Sequence, residues 1–279
     1  MDDHSAIEVL MQQSSKRFDL SPIIPLNMFF SNCLLPQNII EICGASLSGK
    51  SQFIFSVLTN VLLPKDFGGL GFKAILINCK STSIFRLVEL MESRISKAFG
   101  ISQCEKPTIT EVIEDSLSNL VVYDCIDYEE FIITLSSIDN LFLKSYTENI
   151  EPVILIVEDI NFLHSFEKAK HSADMKPYYQ SLNRLSSIVC NLVKHWPILF
   201  IYSCWPYQKK DFYQSISNQA RFVIELCKLD ASEHTANVRD CSSNCAYSIP
   251  FRIDKTGFHC ANFTGFYLIS DFHIFQQNG

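Results

Sequence analysis

The sequence predicts an α/β protein: a mostly parallel, twisted sheet flanked by helices and extended by antiparallel strands at its C-terminal edge. Three observations carry this. Short apolar runs bounded by turn residues recur between Ile39 and Cys204. Segments with helical apolar spacing lie between them, the alternation that crossovers between parallel strands require. Beyond Cys204 the rhythm changes to strands with no helix between them.

Taken in order, residues 1–38 have weak periodicity, and IIEIC (39–43) is a first strand running into the Gly-rich stretch GASLSGKS. The next segment places Phe53, Ile54, Val57, Leu58, Val61 and Leu62 on one helical face, and Pro64 stops it. AILINC (74–79) is a second strand, followed by an amphipathic helix through Ile84, Leu87, Val88, Met91 and Ile95 that ends at Gly100. LVVYDC (120–125) is a third. Asp127 with Glu130 resembles a capping box opening a helix through Phe131, Leu135, Ile138 and Phe142. VILIVED (153–159) is the most apolar run and belongs in the middle of the sheet, buried on both faces. Pro177 suits the first turn of a helix carrying Leu182, Leu185, Val189, Leu192 and Val193, and ILFIYSC (198–204) is the fifth strand. RFVIEL (221–226), YSIPFRID (247–254) and FHCANFTGFYLI (258–269) read as strands, with KTG (255–257) as a hairpin turn. No repeat or linker interrupts this pattern. The expected division is an N-terminal segment, 1–38, and one domain, 39–279.

The 279 residues are 47% hydrophobic and 19% charged, enough for one substantial core and unlike a disordered chain. A net charge of −7 excludes a general basic field drawing the chain to nucleic acid, so any such contact needs a local patch or a partner. The 11 cysteines are odd in number, and several sit in apolar runs as small buried hydrophobes. That pattern points to a reducing compartment. The acidic start MDDHSAIEVL is unlike a signal peptide, and no apolar run approaches a bilayer span, so no membrane is expected.

G-x-x-x-x-G-K-[ST] is complete at Gly44, Ala45, Ser46, Leu47, Ser48, Gly49, Lys50 and Ser51, between a strand and a helix. The two glycines let the backbone curl so that its N–H groups face phosphate, and the helix N-terminus adds partial positive charge. Lys50 is expected to reach the β- and γ-phosphates of ATP, and Ser51 to give its hydroxyl to Mg²⁺. An apolar strand ending in a carboxylate supplies the second hold on that metal. Here Glu158 and Asp159 both stand at the strand end. Both are candidate metal ligands with Ser51: if the apolar run alone sets the register, Glu158 sits at the metal and Asp159 faces away or caps the next segment.

The loop, the following LLPKDFGGLG, the strand AILINC and the helix FRLVELMESRI resemble the RecA-like recombinase paralogues of eukaryotes. The likeness runs from about Gly44 to Cys204, and PK-x-x-GGL is its most particular element. It implies a RecA-like P-loop NTPase core with ATP and Mg²⁺ as ligands. It also implies a nuclear subunit of a paralogue complex that supports homologous-recombination repair of double-strand breaks. The implied partners are another RecA-like paralogue, indirectly the main strand-exchange recombinase, and single-stranded or branched DNA through the complex. Active members carry a helical N-terminal DNA-binding domain, for which residues 1–38 leave no room.

The same resemblance marks two departures. Active members place a glutamate just past strand two to orient the attacking water; here the position holds Lys80, which has donors and no acceptor. They end strand five with a glutamine that senses the γ-phosphate; here it is Cys204. Weak or absent hydrolysis is therefore expected. An active DNA-stimulated ATPase and a P-loop small-molecule kinase remain as alternatives, the latter opposed by sparse arginine and no Arg-rich lid.

RecA-like proteins touch DNA through loops after strands four and five. The first is expected here at about 161–176, with Lys168, Lys170, His171 and Lys176. The second mixes Lys209, Lys210 and Arg221 with Trp205, Tyr207, Phe212 and Tyr213. Cations among aromatics suit a single strand; a solvated loop or a protein interface is the alternative, and the net charge of −7 slightly favours the interface. Cys241, Cys245, His259 and Cys260 lack the spacing of a zinc set.

Overall fold

The five apolar runs form β1 (Ile39–Gly44), β2 (Lys73–Asn78), β3 (Leu120–Asp124), β4 (Val153–Glu158) and β5 (Ile198–Cys204), all mutually parallel where they pair. The computed structural model describes residues 26–29, 34–80, 82–99, 108–144, 152–206, 216, 219–230, 233–243 and 245–260. Four further strands, β6 (Phe222–Lys228), β7 (His234–Asp240), β8 (Cys245–Asp254) and β9 (Gly257–Cys260), complete one sheet in the order β3-β2-β4-β5-β1-β6-β7-β8-β9. The mixed α/β architecture expected from the sequence is thus present.

Two details of the strands differ from the sequence reading. β6 pairs with β1 in parallel, Gly44 opposite Leu226, so the antiparallel extension starts only at β7. β7 has no counterpart among the expected strands; its alternating burial makes it half-buried antiparallel sheet. Of the long strand expected at 258–269, the described part ends with β9 at Cys260; the rest lies outside the described residues.

Among the described residues, the helices longer than about one turn are α1 (Lys50–Leu62), α2 (Phe85–Phe99), α3 (Ile109–Ser118), α4 (Tyr128–Lys144), α5 (Ile160–Lys170) and α6 (Lys176–His195). Alternate residues of β4 divide the core. Ile154 and Ile156 join the layer with α1, α2 and α3, whereas Val153, Leu155 and Val157 join the layer with α4 and α6. The turn Leu26–Phe29 enters the first layer, where Phe29 stacks on Phe53 at 5.8 Å.

α3 is an addition to the expected helices, although the sequence carries its start signal. Thr108 accepts from Glu111 N at 3.2 Å and Glu111 returns a bond to Thr108 N at 2.8 Å, a reciprocal capping box. Asp127 and Glu130 cap α4 as expected, except that the Glu130 carboxylate takes Ile126 N rather than Asp127 N.

α1 carries more than one apolar face: Phe53 through Leu62 are all buried. The sheet covers one side and α2 with the β8–β9 hairpin covers another, bringing Phe258 edge-on to Phe53 at 5.2 Å. Arg86 of α2 fastens that hairpin. Its guanidinium donates to the Asp254 and Lys255 carbonyls, each at 2.9 Å, and to Gln52 of α1 at 3.1 Å. Behind α1, the GGL segment doubles back along the helix: Leu70 N, Phe72 N and Gly71 N donate to the carbonyls of Asn60, Val61 and Leu63. These bonds satisfy carbonyls at the C-terminal end of α1 that lack partners within the helix.

His234 of β7 lies buried and stacked on Phe251 at 5.1 Å. Burial first, then Lys228, holds its imidazole below the usual value. The folded state therefore resists the proton, and stability is lost as pH falls through the unfolded value of about 6.5. Thermal melts at pH 7.5 and 5.5 are expected to show a larger drop for the natural chain than for His234→Phe. Equal drops would remove His234 from the account.

Candidate nucleotide site

The site forms at the carboxyl ends of β1, β4 and β5, where the parallel strands deliver their loops to one edge of the sheet. Gly44 closes β1 in a position with no room for a side chain. A Cβ there would lie 2.4 Å from Ser48 Oγ and 2.6 Å from the Leu226 carbonyl of β6. Gly49 has φ of +98°, which glycine alone takes without cost, and a Cβ would meet Ile253 Cδ1 at 2.3 Å. The loop is thus pressed between β6 and β8, a constraint invisible in the motif itself. Leu47, at φ of +62°, is 81% exposed at its tip.

Lys50 opens α1 and folds over the loop, donating to the carbonyls of Gly44 at 2.8 Å and Ala45 at 2.9 Å. Burial lowers its pKa, opposed by Asp159, while Lys80 adds to the lowering. Ser51 hydrogen-bonds the Glu158 carboxylate. Glu158 is 2% exposed, its pKa pushed up by burial and held back by that bond. Its Oε2 and the Ser48 hydroxyl are buried without a protein partner. A buried carboxylate oxygen beside a loop serine fits a divalent cation, and a phosphate would supply the acceptor that Ser48 lacks. The residues present therefore fit Mg²⁺ and a nucleoside triphosphate.

The two strand-end acids have separate partners. Asp159 accepts from Asn161 N at 3.1 Å, capping α5, and from the Trp205 indole N–H at 2.6 Å. The peptide between Glu158 and Asp159 is cis. Burial raises the Asp159 pKa, with the Trp205 bond opposing first. Trp205, immediately after β5, also places its ring 5.9 Å from the Lys50 ammonium and takes Asn161 Oδ1 on its backbone N–H at 2.7 Å. The sequence pattern places Trp205 only in a loop and gives no sign of these contacts. Lys80, exposed just past β2, acts electrostatically on Lys50, Glu158 and Asp159, and Cys204, which ends β5, is buried.

The expected first DNA loop is corrected. Ile160–Lys170 is helix α5, because Asp159 caps it and Ile160 and Leu163 anchor it to the core. Lys168 and Lys170 lie in its exposed last turn, where Lys170 meets Glu129 of α4 at 3.5 Å. Arg221 stands elsewhere, before β6, with its guanidinium 5.0 Å from the Phe222 ring. No described contact joins it to the end of α5. Lys209 and Lys210 lie outside the described residues.

No protein-family profile matches the chain. Among curated proteins it is 22% identical to DNA repair protein RAD51 homolog 3 of Cricetulus griseus, over 94% of this chain and 73% of that protein. Its identity to the Dictyostelium discoideum protein of the same name is 26%, over 45% of this chain and 33% of that protein. By sequence the chain is a relative of the RecA-like recombinase paralogues. The parallel core, the loop at the end of β1 and the carboxylate at the end of β4 agree with that kinship. Among the described residues, no helix is long and apolar enough to cross a membrane.

Proposed function

We propose that this chain is an ATP-binding RecA-like paralogue that hydrolyses its nucleotide slowly or not at all. It acts as a subunit of a paralogue complex supporting homologous-recombination repair of double-strand breaks in the nucleus. Its motif likeness within the family is to the second X-ray-repair cross-complementing protein. Its partners are another RecA-like paralogue, indirectly the main strand-exchange recombinase, and single-stranded or branched DNA reached through the complex.

Gly44 through Ser51 form the phosphate cradle, Lys50 neutralises the β- and γ-phosphates, and Ser51 with Glu158 holds Mg²⁺. The bound ion screens phosphate charge. Asp159 is committed to capping α5 and to Trp205.

The observation that carries this reading is Lys80. Its ammonium stands within electrostatic reach of Lys50, Glu158 and Asp159, where active members of the family have a glutamate. An ammonium attracts phosphate and has no lone pair to align water, so this surrounding favours holding the triphosphate over splitting it.

The test is a single-turnover assay with the chain in excess over labelled ATP–Mg²⁺. Bound, intact ATP is the expected result. ADP forming on the chain, and faster with single-stranded DNA, favours an active ATPase instead. Label transferred to a small acceptor favours a kinase.

A further inference from the structure

Trp205 ties together three parts of the site that the phosphate motif leaves separate. Its indole N–H donates to Asp159 Oδ2, its backbone N–H donates to Asn161 in the first turn of α5, and its ring lies beside Lys50 of α1. It sits directly after β5 and is 40% exposed.

The charge of Asp159 bears on Lys50, the residue the triphosphate needs, although no described ion pair joins the two. A carboxylate so placed competes with phosphate for the same ammonium. The indole bond occupies Oδ2, and the α5 cap occupies Oδ1. With both oxygens engaged, the carboxylate is held toward α5 and β5.

We propose that Trp205 is a positioning residue for the nucleotide: it holds Asp159 off Lys50 and so leaves the ammonium available to the phosphates. This rests on the reading that Gly44–Ser51 binds ATP. It assigns a role to a residue outside the motif and explains why an acidic neighbour of Lys50 is tolerated. Phosphate arriving at Lys50 also alters the field at the indole, which makes Trp205 a reporter of occupancy.

The test uses the full chain and retention of labelled ATP–Mg²⁺ by equilibrium dialysis. Trp205→Phe keeps a ring and loses the N–H. Its ATP affinity is expected to fall about tenfold, the scale of one charge-assisted hydrogen bond. Asp159→Asn placed in the Trp205→Phe chain is expected to restore most of that loss, because the competing charge is gone. A purely structural role for Trp205 would not be rescued by removing a charge. Unchanged affinity in Trp205→Phe, or no recovery in the double variant, overturns the inference while the unaltered chain still binds.

Should Trp205→Phe fail to fold, the Trp196→Phe chain decides. It leaves Trp205 as the sole indole, since the chain has 2 tryptophans. Its emission is expected to change with the same midpoint as ATP retention, and constant emission at saturating ATP overturns the inference. If the unaltered chain retains no ATP, the nucleotide reading itself fails and takes the inference with it.

Discussion

ATP–Mg²⁺ is expected to raise the melting temperature of the natural chain and to leave that of Lys50→Ala unmoved. A ligand that binds only the folded state adds about 2.7 kcal/mol at a hundredfold excess over its dissociation constant. For a chain of this size that corresponds to roughly 5–10 °C. Lys50 is the cation of the proposed cradle, and its ammonium already bridges the Gly44 and Ala45 carbonyls at 2.8 and 2.9 Å. Alanine therefore removes both the phosphate partner and a brace of the loop. The variant's own melting temperature will differ for the second reason, so each protein is compared with itself, with and without nucleotide. Equal shifts in the two proteins would place the nucleotide elsewhere.

The second large effect concerns folding. Gly69→Ala is expected to destabilise the chain by about 3 kcal/mol, at the upper end of the cost of overpacking. Its Cβ would lie 1.9 Å from the Leu63 carbonyl oxygen and 2.5 Å from the carbonyl carbon. Both are backbone atoms, which cannot swing aside. Gly71→Ala is the control. It has a φ of +66° but nothing within 4 Å of the added atom, so it carries only the left-handed penalty of about 1 kcal/mol. Urea melts of the two variants decide: comparable losses would mean that conformation rather than close approach sets the requirement. The segment matters to the site because it ties α1, which begins with Lys50, to β2, which ends beside Lys80.

How much of this is legible in the chain depends on the range of the forces involved. Local signals read well. The loop from Gly44 to Ser51 is specified by its own residues, and the apolar runs at 39–43, 74–79, 120–125, 153–159 and 198–204 are dense enough to commit to strand. Pro177 and the Asp127–Glu130 pair mark helix starts by chemistry confined to a few residues. α3 shows how a local signal is overlooked: Thr108-x-x-Glu111 is written in the sequence, but the segment lies between stretches of weak pattern. α5 reads as a loop because two acids followed by mixed residues look like a strand ending in a turn. Asp159 is nonetheless an N-cap, with Ile160 and Leu163 packing inward.

By itself, the sequence determined that this chain has a parallel α/β core, a Gly-rich loop of the phosphate-binding pattern between its first strand and helix, and acidic residues at the fourth strand end. Each arises from neighbours in the chain. Only the tertiary structure decided which acid does what. Glu158 meets Ser51 across the strand ends, while Asp159 turns to Trp205, 46 residues later, because β4 and β5 are adjacent strands. It also decided that β6 runs parallel to β1 and presses on Gly44, and that β8 reaches Gly49 through Ile253. Nothing in RFVIEL or YSIPFRID announces a partner. Strand order is chosen by the burial of whole faces, a sum over the molecule that no local stretch contains.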